Sequence, residues 1–366
     1  MRILHFYKIM NTGGAETFIM NVYRRIDRSK YQFDFLCSSN KKGFYDDEIK
    51  SLGGKILYYK ISKNPFITIY RIVKVIKDGD YDAIHSPMMF FSSIICVAAK
   101  LSHVKKIIVH SHSASDIKKE TFFRKIYIKM SRFLINKLST DKIACGIDAA
   151  NYLFGTNKNI NICHNGIDFE RFSTNFDKEI ISFKKKYRID NNTIIIGEVA
   201  SFLPVKNHKY YINFAKKLIE LNKQFVIILI GEGPLKESFK NEVISNNLSN
   251  HFIILNATNE IPFYMNLFDI YMMPSLYEGF PMSVIEAVSC GNHCILSDNI
   301  TKETQVFGEY VESFSINSFP LFESFTRKKN INKDKIRALL LNNGFLIDST
   351  VYKLEVVYGG KKNEKK

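Results

Sequence analysis

No stretch of about 18 consecutive apolar residues, the length that crosses a bilayer as a helix, occurs in this 366-residue chain. A helical membrane span is therefore not expected. Residues 1–7, Met-Arg-Ile-Leu-His-Phe-Tyr, read as a strand rather than a leader peptide, which predicts a cytoplasmic location. Cysteine pairs of the Cys-x-x-Cys kind are also missing. Cys37, Cys96, Cys145, Cys163, Cys290 and Cys294 are scattered through mostly apolar segments, as expected of reduced core thiols. Cys290 and Cys294 bracket His293, but Gly291 and Asn292 interrupt the helical spacing and a fourth ligand is not evident, so core packing is expected and no metal. Zinc-finger, RNP and helix-turn-helix patterns are absent, which argues against nucleic acid as a partner. So are the Gly-x-Gly-x-x-Gly fingerprint and the Walker Gly-Lys-Ser/Thr, which weakens dinucleotide and P-loop readings.

What the chain does have is length, apolar content and positive charge. At 366 residues and 46% hydrophobic composition it predicts two packed domains of roughly 150 residues each. A net charge of +16 attracts nucleic acid, anionic lipid or a polyanionic substrate, and charge by itself does not choose among them.

Short β-branched or aromatic runs alternate with amphipathic stretches along the whole chain, the pattern of βα units and parallel sheets. Strands are predicted at residues 2–7, 32–37, 55–60, 82–85, 105–110, 142–145 and 160–163. A second series falls at residues 193–200, 225–230, 252–255, 269–273 and 293–297. Residues 165–192 are polar and read as irregular, so the junction is expected there. The predicted domains are residues 1–168 and 169–345, followed by a helix at 346–358 that packs back on the first domain and a disordered tail at 359–366. Two doubly wound α/β domains facing across a cleft would bind ligand at their strand carboxyl ends.

The most informative segment is residues 276–286, Leu-Tyr-Glu-Gly-Phe-Pro-Met-Ser-Val-Ile-Glu. Glu278 and Glu286 flank a Gly279-Phe280-Pro281 turn that opens an apolar helix. Pro281 suits the first helical position, leaving the amides of Met282, Ser283 and Val284 as donors to a phosphate. Glu286, one turn in, can accept hydrogen bonds from a diol, and Glu278 can hold a second hydroxylated group. Two carboxylates also fit a glycosidase. That reading accounts for neither the glycine loop Asn11-Thr12-Gly13-Gly14-Ala15-Glu16 nor Lys206, both of which anticipate an anion.

Gly13 and Gly14 stand where a helix begins after the first strand, so their amides can approach an anion; a plain tight turn is the bland reading. His110 and His112 end the strand of residues 105–110, where an imidazole can bond a sugar hydroxyl or be merely structural. Lys206 lies on the loop after the second domain's first strand and can neutralise a diphosphate without a metal; the bland reading is a solvated lysine. Asp80-Tyr81-Asp82 superficially matches a metal-binding Asp-x-Asp and is read as a turn into a strand. Residues 118–138 form an amphipathic helix with Phe122, Ile126, Met130, Phe133 and Leu134 on one face and Lys118, Lys125, Lys129 and Arg132 opposite. Either it covers the sheet, or it docks on anionic lipid.

In this order the pieces resemble the family-4 glycosyltransferases of the GT-B fold, in particular bacterial enzymes that build capsule, exopolysaccharide or O-antigen. The resemblance covers nearly the whole chain. It is carried by Gly13-Gly14-Ala15-Glu16, His110-Ser111-His112, Asn165-Gly166-Ile167-Asp168, Lys206-Asn207-His208, Gly231-Glu232-Gly233-Pro234-Leu235 and Pro274-Ser275-Leu276-Tyr277-Glu278-Gly279-Phe280-Pro281, with Glu278 and Glu286 at the family's spacing. It implies Glu278 on the donor sugar, Glu286 on the nucleotide ribose, Lys206 and the amides of residues 280–284 on the diphosphate, and Gly14 near the phosphate. His112 is implied beside the anomeric carbon, with His110 the second choice. It further implies transfer with retention, no metal and no cofactor. The donor would be a nucleotide sugar, read as UDP-linked, and the acceptor a polyprenyl-linked glycan at the inner face of the membrane. Where the family usually has Gly-Arg this chain has Ala200-Ser201, which removes a diphosphate contact. Residues 309–332 match the family poorly. Rival readings are a nucleotide-sugar epimerase of the same two-domain form and a non-catalytic scaffold that binds a protein or polymer.

Overall fold

The computed structural model describes residues 1–113, 121–278, 280–320, 325 and 331–359. Lys118, Gly279 and the tail from residue 360 lie outside these. The chain forms two compact units: Met1–Gly166 with the segment from Gly344, and Ile167–Asn343.

The first unit carries β1 (Arg2–Tyr7), α1 (Gly14–Arg25), β2 (Gln32–Cys37), α2 (Asp46–Ser51), β3 (Ile56–Tyr58), α3 (Pro65–Gly79), β4 (Ala83–Ser86), α4 (Ser92–Leu101), β5 (Lys106–Ser111), α5 (Phe122–Leu138), β6 (Asp141–Ala144), α6 (Ile147–Phe154) and β7 (Asn161–Ile162). Its seven strands are ordered β3-β2-β1-β4-β5-β6-β7, and every pairing is parallel. Such sheets are covered on both faces, so their strands read as near-continuous apolar runs. Ile3, Ala83 and Ile108 enter one core, while Leu4, Phe6, Ile84, Ile107 and Val109 enter the other.

The second unit carries α7 (Phe169–Phe172), α8 (Asp177–Tyr187), β8 (Ile194–Val199), α9 (Tyr210–Glu220), β9 (Phe225–Ile230), α10 (Lys236–Ser245), β10 (Phe252–Leu255), α11 (Ile261–Leu267), β11 (Ile270–Met273), α12 (Met282–Ser289), β12 (His293–Ser297), β13 (Val311–Phe314) and α13 (Lys333–Asn342). Its strand order is β10-β9-β8-β11-β12-β13, again all parallel. Both sheets reverse direction beside their first strand, at β1/β4 and at β8/β11. Ligands of doubly wound sheets bind at the carboxyl ends there. Gly197 of β8 is glycine for a packing reason: a Cβ would stand 2.3 Å from the Phe268 ring.

The last helix, α14 (Ile347–Gly359), packs against α1 of the first unit and adds Val351, Leu354, Val357 and Tyr358 to its core. Its start passes over Gly166, where a Cβ would meet Thr350 Oγ1 at 2.4 Å and the Leu346 carbonyl at 2.6 Å.

Two expectations need correction. Residues 165–192 are not irregular, because they contain α7 and α8; α8 buries only Phe183 and exposes a lysine-rich face, so its periodicity is faint. The strand β13, a four-residue edge strand with polar Glu312 and Ser313 at its centre, lies within residues 309–332, where no strand is predicted.

Candidate functional site

At the switch point of the second sheet, the loop after β8 and the loop after β11 are tied together. The Leu276 N–H donates to the Val205 carbonyl at 2.8 Å, and Asn207 Nδ2 donates to the Pro274 carbonyl at 3.1 Å. Asn207 has φ 54°, a left-handed turn that asparagine tolerates. This seats Lys206, whose ammonium donates to Glu278 Oε1; their side chains are 19% and 17% exposed. The loop of residues 231–235 closes against the same place. Phe202 N–H donates to the Glu232 carbonyl, and a Cβ on Gly231 would stand 2.0 Å from the Ala200 carbonyl oxygen. Ser201 is exposed on this loop.

Pro281 is the residue before α12, with extended φ −76° and ψ 117°, rather than its first helical residue. Val284 N–H already donates to the Pro281 carbonyl at 3.1 Å, which corrects the expectation of three freely available amides. The Ser283 hydroxyl is bonded to Tyr271 at 2.7 Å. Phe280 stands edge-on to Phe307, with ring centres 6.3 Å apart. Glu286 lies one turn into α12, and burial, opposed by the Arg171 charge, pushes its carboxyl up to about 7.

Sequence reasoning passed over Glu198, a fully buried carboxyl on β8. Burial raises it to about 8 against the opposing pull of Lys206, while Glu278 raises it further. His208, stacked on Phe202 with ring centres 4.1 Å apart, is lowered by burial and by Lys206 to about 4. Both partners thus favour their neutral forms near neutral pH, so the 3.7 Å approach of His208 to Glu198 is not an ion pair. A signal existed in the sequence: Glu198 interrupts an otherwise apolar strand just before the Lys206 loop.

At the carboxyl edge of the first sheet, Gly13 caps α1 without a side-chain hydrogen bond. A Cβ at Gly13 would meet Glu16 Oε2 at 2.2 Å, whereas one at Gly14 would meet nothing within 4 Å. The Glu16 carboxylate is therefore folded back over the helix start. His110 and His112 do come together although β5 ends at Ser111; their ring centres are 3.9 Å apart, and Phe18 of α1 stands edge-on to both. His110 Nε2 and both ring nitrogens of His112 have no hydrogen-bond partner among the described residues.

The helix α5 overturns the expected packing. The side facing the core consists of Ile128, Ser131, Ile135 and Leu138, while Phe122, Ile126, Met130 and Phe133 are exposed, together with Phe123 and Tyr127. Arg132 is not a free surface cation either. Its guanidinium donates to the carbonyls of Tyr152 and Leu153, at 2.8 and 3.3 Å, and holds α6. Lys125 and Lys129 are exposed. No helix among the described residues is long and apolar enough to cross a membrane. The Cys290 thiol lies by the Phe172 carbonyl, and His293 meets Glu312 of β13 at 3.2 Å, so these side chains do not converge on a common point.

Two parallel doubly wound units, with the last helix returned to the first, are the architecture of the GT-B class. Residues 12–171 match the family model described as Glycosyltransferase Family 4, and residues 179–328 the one described as Glycosyl transferases group 1. The putative glycosyltransferase EpsF of Bacillus subtilis is 37% identical over 312 residues, 82% of this chain and 80% of that protein. The UDP-Gal:alpha-D-GlcNAc-diphosphoundecaprenol alpha-1,3-galactosyltransferase of Escherichia coli is 24% identical, covering 98% of this chain and 96% of that protein. Among solved structures, HepE of Anabaena in complex with UDP superposes with a TM-score of 0.79 at 15% identity, over 99% of this chain and 100% of that one. The chain belongs to the family-4 glycosyltransferases.

Proposed function

We propose that the protein transfers a hexose or N-acetylhexosamine from a UDP-sugar to a polyprenyl-linked glycan in surface-polysaccharide synthesis, with retention and without a metal. The observation that carries this is the Lys206–Glu278 pair at the switch point, with Glu286 one turn into the adjoining helix α12. Lys206 is the cation for the departing diphosphate. Glu278, released from Lys206 by the incoming phosphate, turns to the hydroxyls of the sugar, and Glu286 receives the ribose diol. The amides that open α12 add partial positive charge for the phosphate. Stabilising the leaving nucleoside diphosphate and the oxocarbenium-like sugar is the catalytic principle. The family resemblance assigns His112 to the sugar and Gly14 to the phosphate. The relative that names UDP-Gal and a diphosphoundecaprenol acceptor supports the choice of donor and carrier.

We also propose peripheral attachment to the inner face of the membrane. Phe122, Phe123, Met130 and Phe133 of α5 are 60–81% exposed. Burying each such side chain is worth about 1.5–3 kcal/mol, so this face is stabilised by a partner with an apolar interior. Phe66 and Tyr70 of α3 are also 77% and 69% exposed. Lys129 borders the α5 face and suits anionic headgroups.

Thermal unfolding with UDP, GDP, ADP and CMP in EDTA, on native protein and on Glu286→Ala, tests the donor reading. Ligand at about a hundredfold its dissociation constant stabilises by about 2.7 kcal/mol. A rise with UDP only, lost in the variant, is expected. No rise with any nucleotide would overturn the reading and favour a non-catalytic scaffold.

A further inference from the structure

The first sheet buries a row of histidines that the proposed reaction does not use. His5 and His85 are paired across β1 and β4, and His110 lies two residues beyond Ile108, the partner of His85 on β5. Two residues earlier on each strand stand Ile3, Ala83 and Ile108, all in the core beneath α1 and α14. Strand periodicity therefore sends the three imidazoles to that same side. All three are at most 2% exposed. Apolar residues would cost nothing there, whereas a buried polar atom without a partner costs about 1–3 kcal/mol.

The partner comes from the other end of the chain. Tyr358 on α14 places its hydroxyl 2.7 Å from His85 Nδ1, and His85 Nε2 lies 3.2 Å from His110 Nδ1. The phenol has no other hydrogen-bond partner among the described residues, and its proton is satisfied only if it donates to His85 Nδ1. Neutral His85 then carries its proton on Nε2 and donates to His110 Nδ1. It follows that His110 holds its own proton on Nε2, the atom left without a partner beside His112. Burial lowers His85 and His112 to about 3 and His110 well below its ordinary value, so the row is neutral and a tautomer is well defined.

We propose that Tyr358 is a positioning residue: through His85 it locks the buried His110 in the Nε2–H form and so fixes the ring that backs His112 at the sheet edge. The inference rests on reading that edge as the place of the donor sugar. The C-terminal helix would then act on the site through two hydrogen bonds and without touching substrate.

Histidine-selective 15N labelling with two-bond nitrogen–proton correlation tests the lock, with His85→Asn and His110→Gln used to assign the signals. In native protein without ligand, His85 and His110 are both expected in the Nε2–H form. Tyr358→Phe, which keeps the ring, is expected to shift His110 toward a mixture of tautomers and to lower turnover about fivefold to tenfold, with KM for UDP-glucose within about twofold. A native His110 carrying its proton on Nδ1 would overturn the lock, whatever the variant does. So would an unchanged His110 pattern in a Tyr358→Phe protein that melts cooperatively. Adding UDP-glucose to native protein is a separate arm. Shifts at His110 and His112 support the sugar edge; an Nε2–H pattern left unmoved by UDP-glucose that raises the melting temperature supports the lock and overturns the sugar edge.

Discussion

Lys206, on the loop after β8, donates to Glu278, on the loop after β11, and so holds the sheet's switch point closed with a cation already paired. A diphosphate must compete with Glu278 for that ammonium. Glu278→Gln is therefore expected to bind UDP about fivefold more tightly than native protein, because the ion pair no longer has to be broken; partly exposed pairs are worth about 1 kcal/mol. UDP-sugar should gain less, since the same substitution weakens the sugar contact. Lys206→Met should lose about tenfold for both ligands. Calorimetric titration of the three proteins measures this, and equal affinity of native protein and Glu278→Gln for UDP would contradict it.

The two glycines at the start of α1 should respond in opposite ways. Gly14 is the first helical residue with open space around its missing Cβ, so Gly14→Ala is expected to raise stability by up to about 1 kcal/mol through helix propensity. The methyl should nevertheless weaken UDP-glucose binding. Gly13→Ala displaces the Glu16 carboxylate and should lower the melting temperature instead. A Gly14→Ala protein of native affinity would remove this loop from the donor site.

Stability should fall on both sides of a narrow optimum. His5, His85, His110, His112, His164 and His208 are all lowered by burial. The unfolded chain titrates these groups near about 6.5, so below that pH it binds more protons than the fold does and stability drops. Each group adds up to about 1.4 kcal/mol per pH unit until its folded value is reached. Glu198 and Glu286 act in the opposite direction. Raised to about 8 and about 7, they stabilise below the unfolded carboxyl range and lose that contribution as pH rises through those values. Urea melts from pH 5 to 9 should show the acid fall in native protein, and a shallower alkaline fall in Glu198→Gln.

Two basic residues on α5 should separate by function. Arg132→Ala removes the donor to two carbonyls of α6 and is expected to cost about 1–3 kcal/mol. Lys129→Glu should leave the melting temperature unchanged and reduce sedimentation with anionic vesicles, as should Phe122→Ser with Phe123→Ser. Equal sedimentation of native and triple-substituted protein would sink the membrane reading.

Much of the scaffold is legible locally. Strands β1, β2, β9, β10 and β12 fall on the residues predicted for them, because a parallel strand buried on both faces is a short apolar run bounded by polar turns. The faint elements are those whose burial depends on distant neighbours. Edge strand β13 has a polar centre, and α8 is a lysine-rich helix with one buried side chain. The face of α5 was misjudged for a related reason. Its most apolar stripe is not the stripe that meets α4 and α6, and the spacing of apolar residues along one helix carries no information about which neighbours exist.

The sequence by itself determined the alternation of strand and helix, the glycine turns, and the residue types gathered at the strand ends, since these follow from backbone preference and periods of two and 3.6. Tertiary structure decided who meets whom. Lys206 finds Glu278 across 72 residues, and His85 finds Tyr358 across 273. Pairings at such separations arise from sheet order and helix packing, and burial then sets the protonation of every group they enclose. That is why Glu286, Glu198 and the buried histidines acquire their shifted values only in the folded chain.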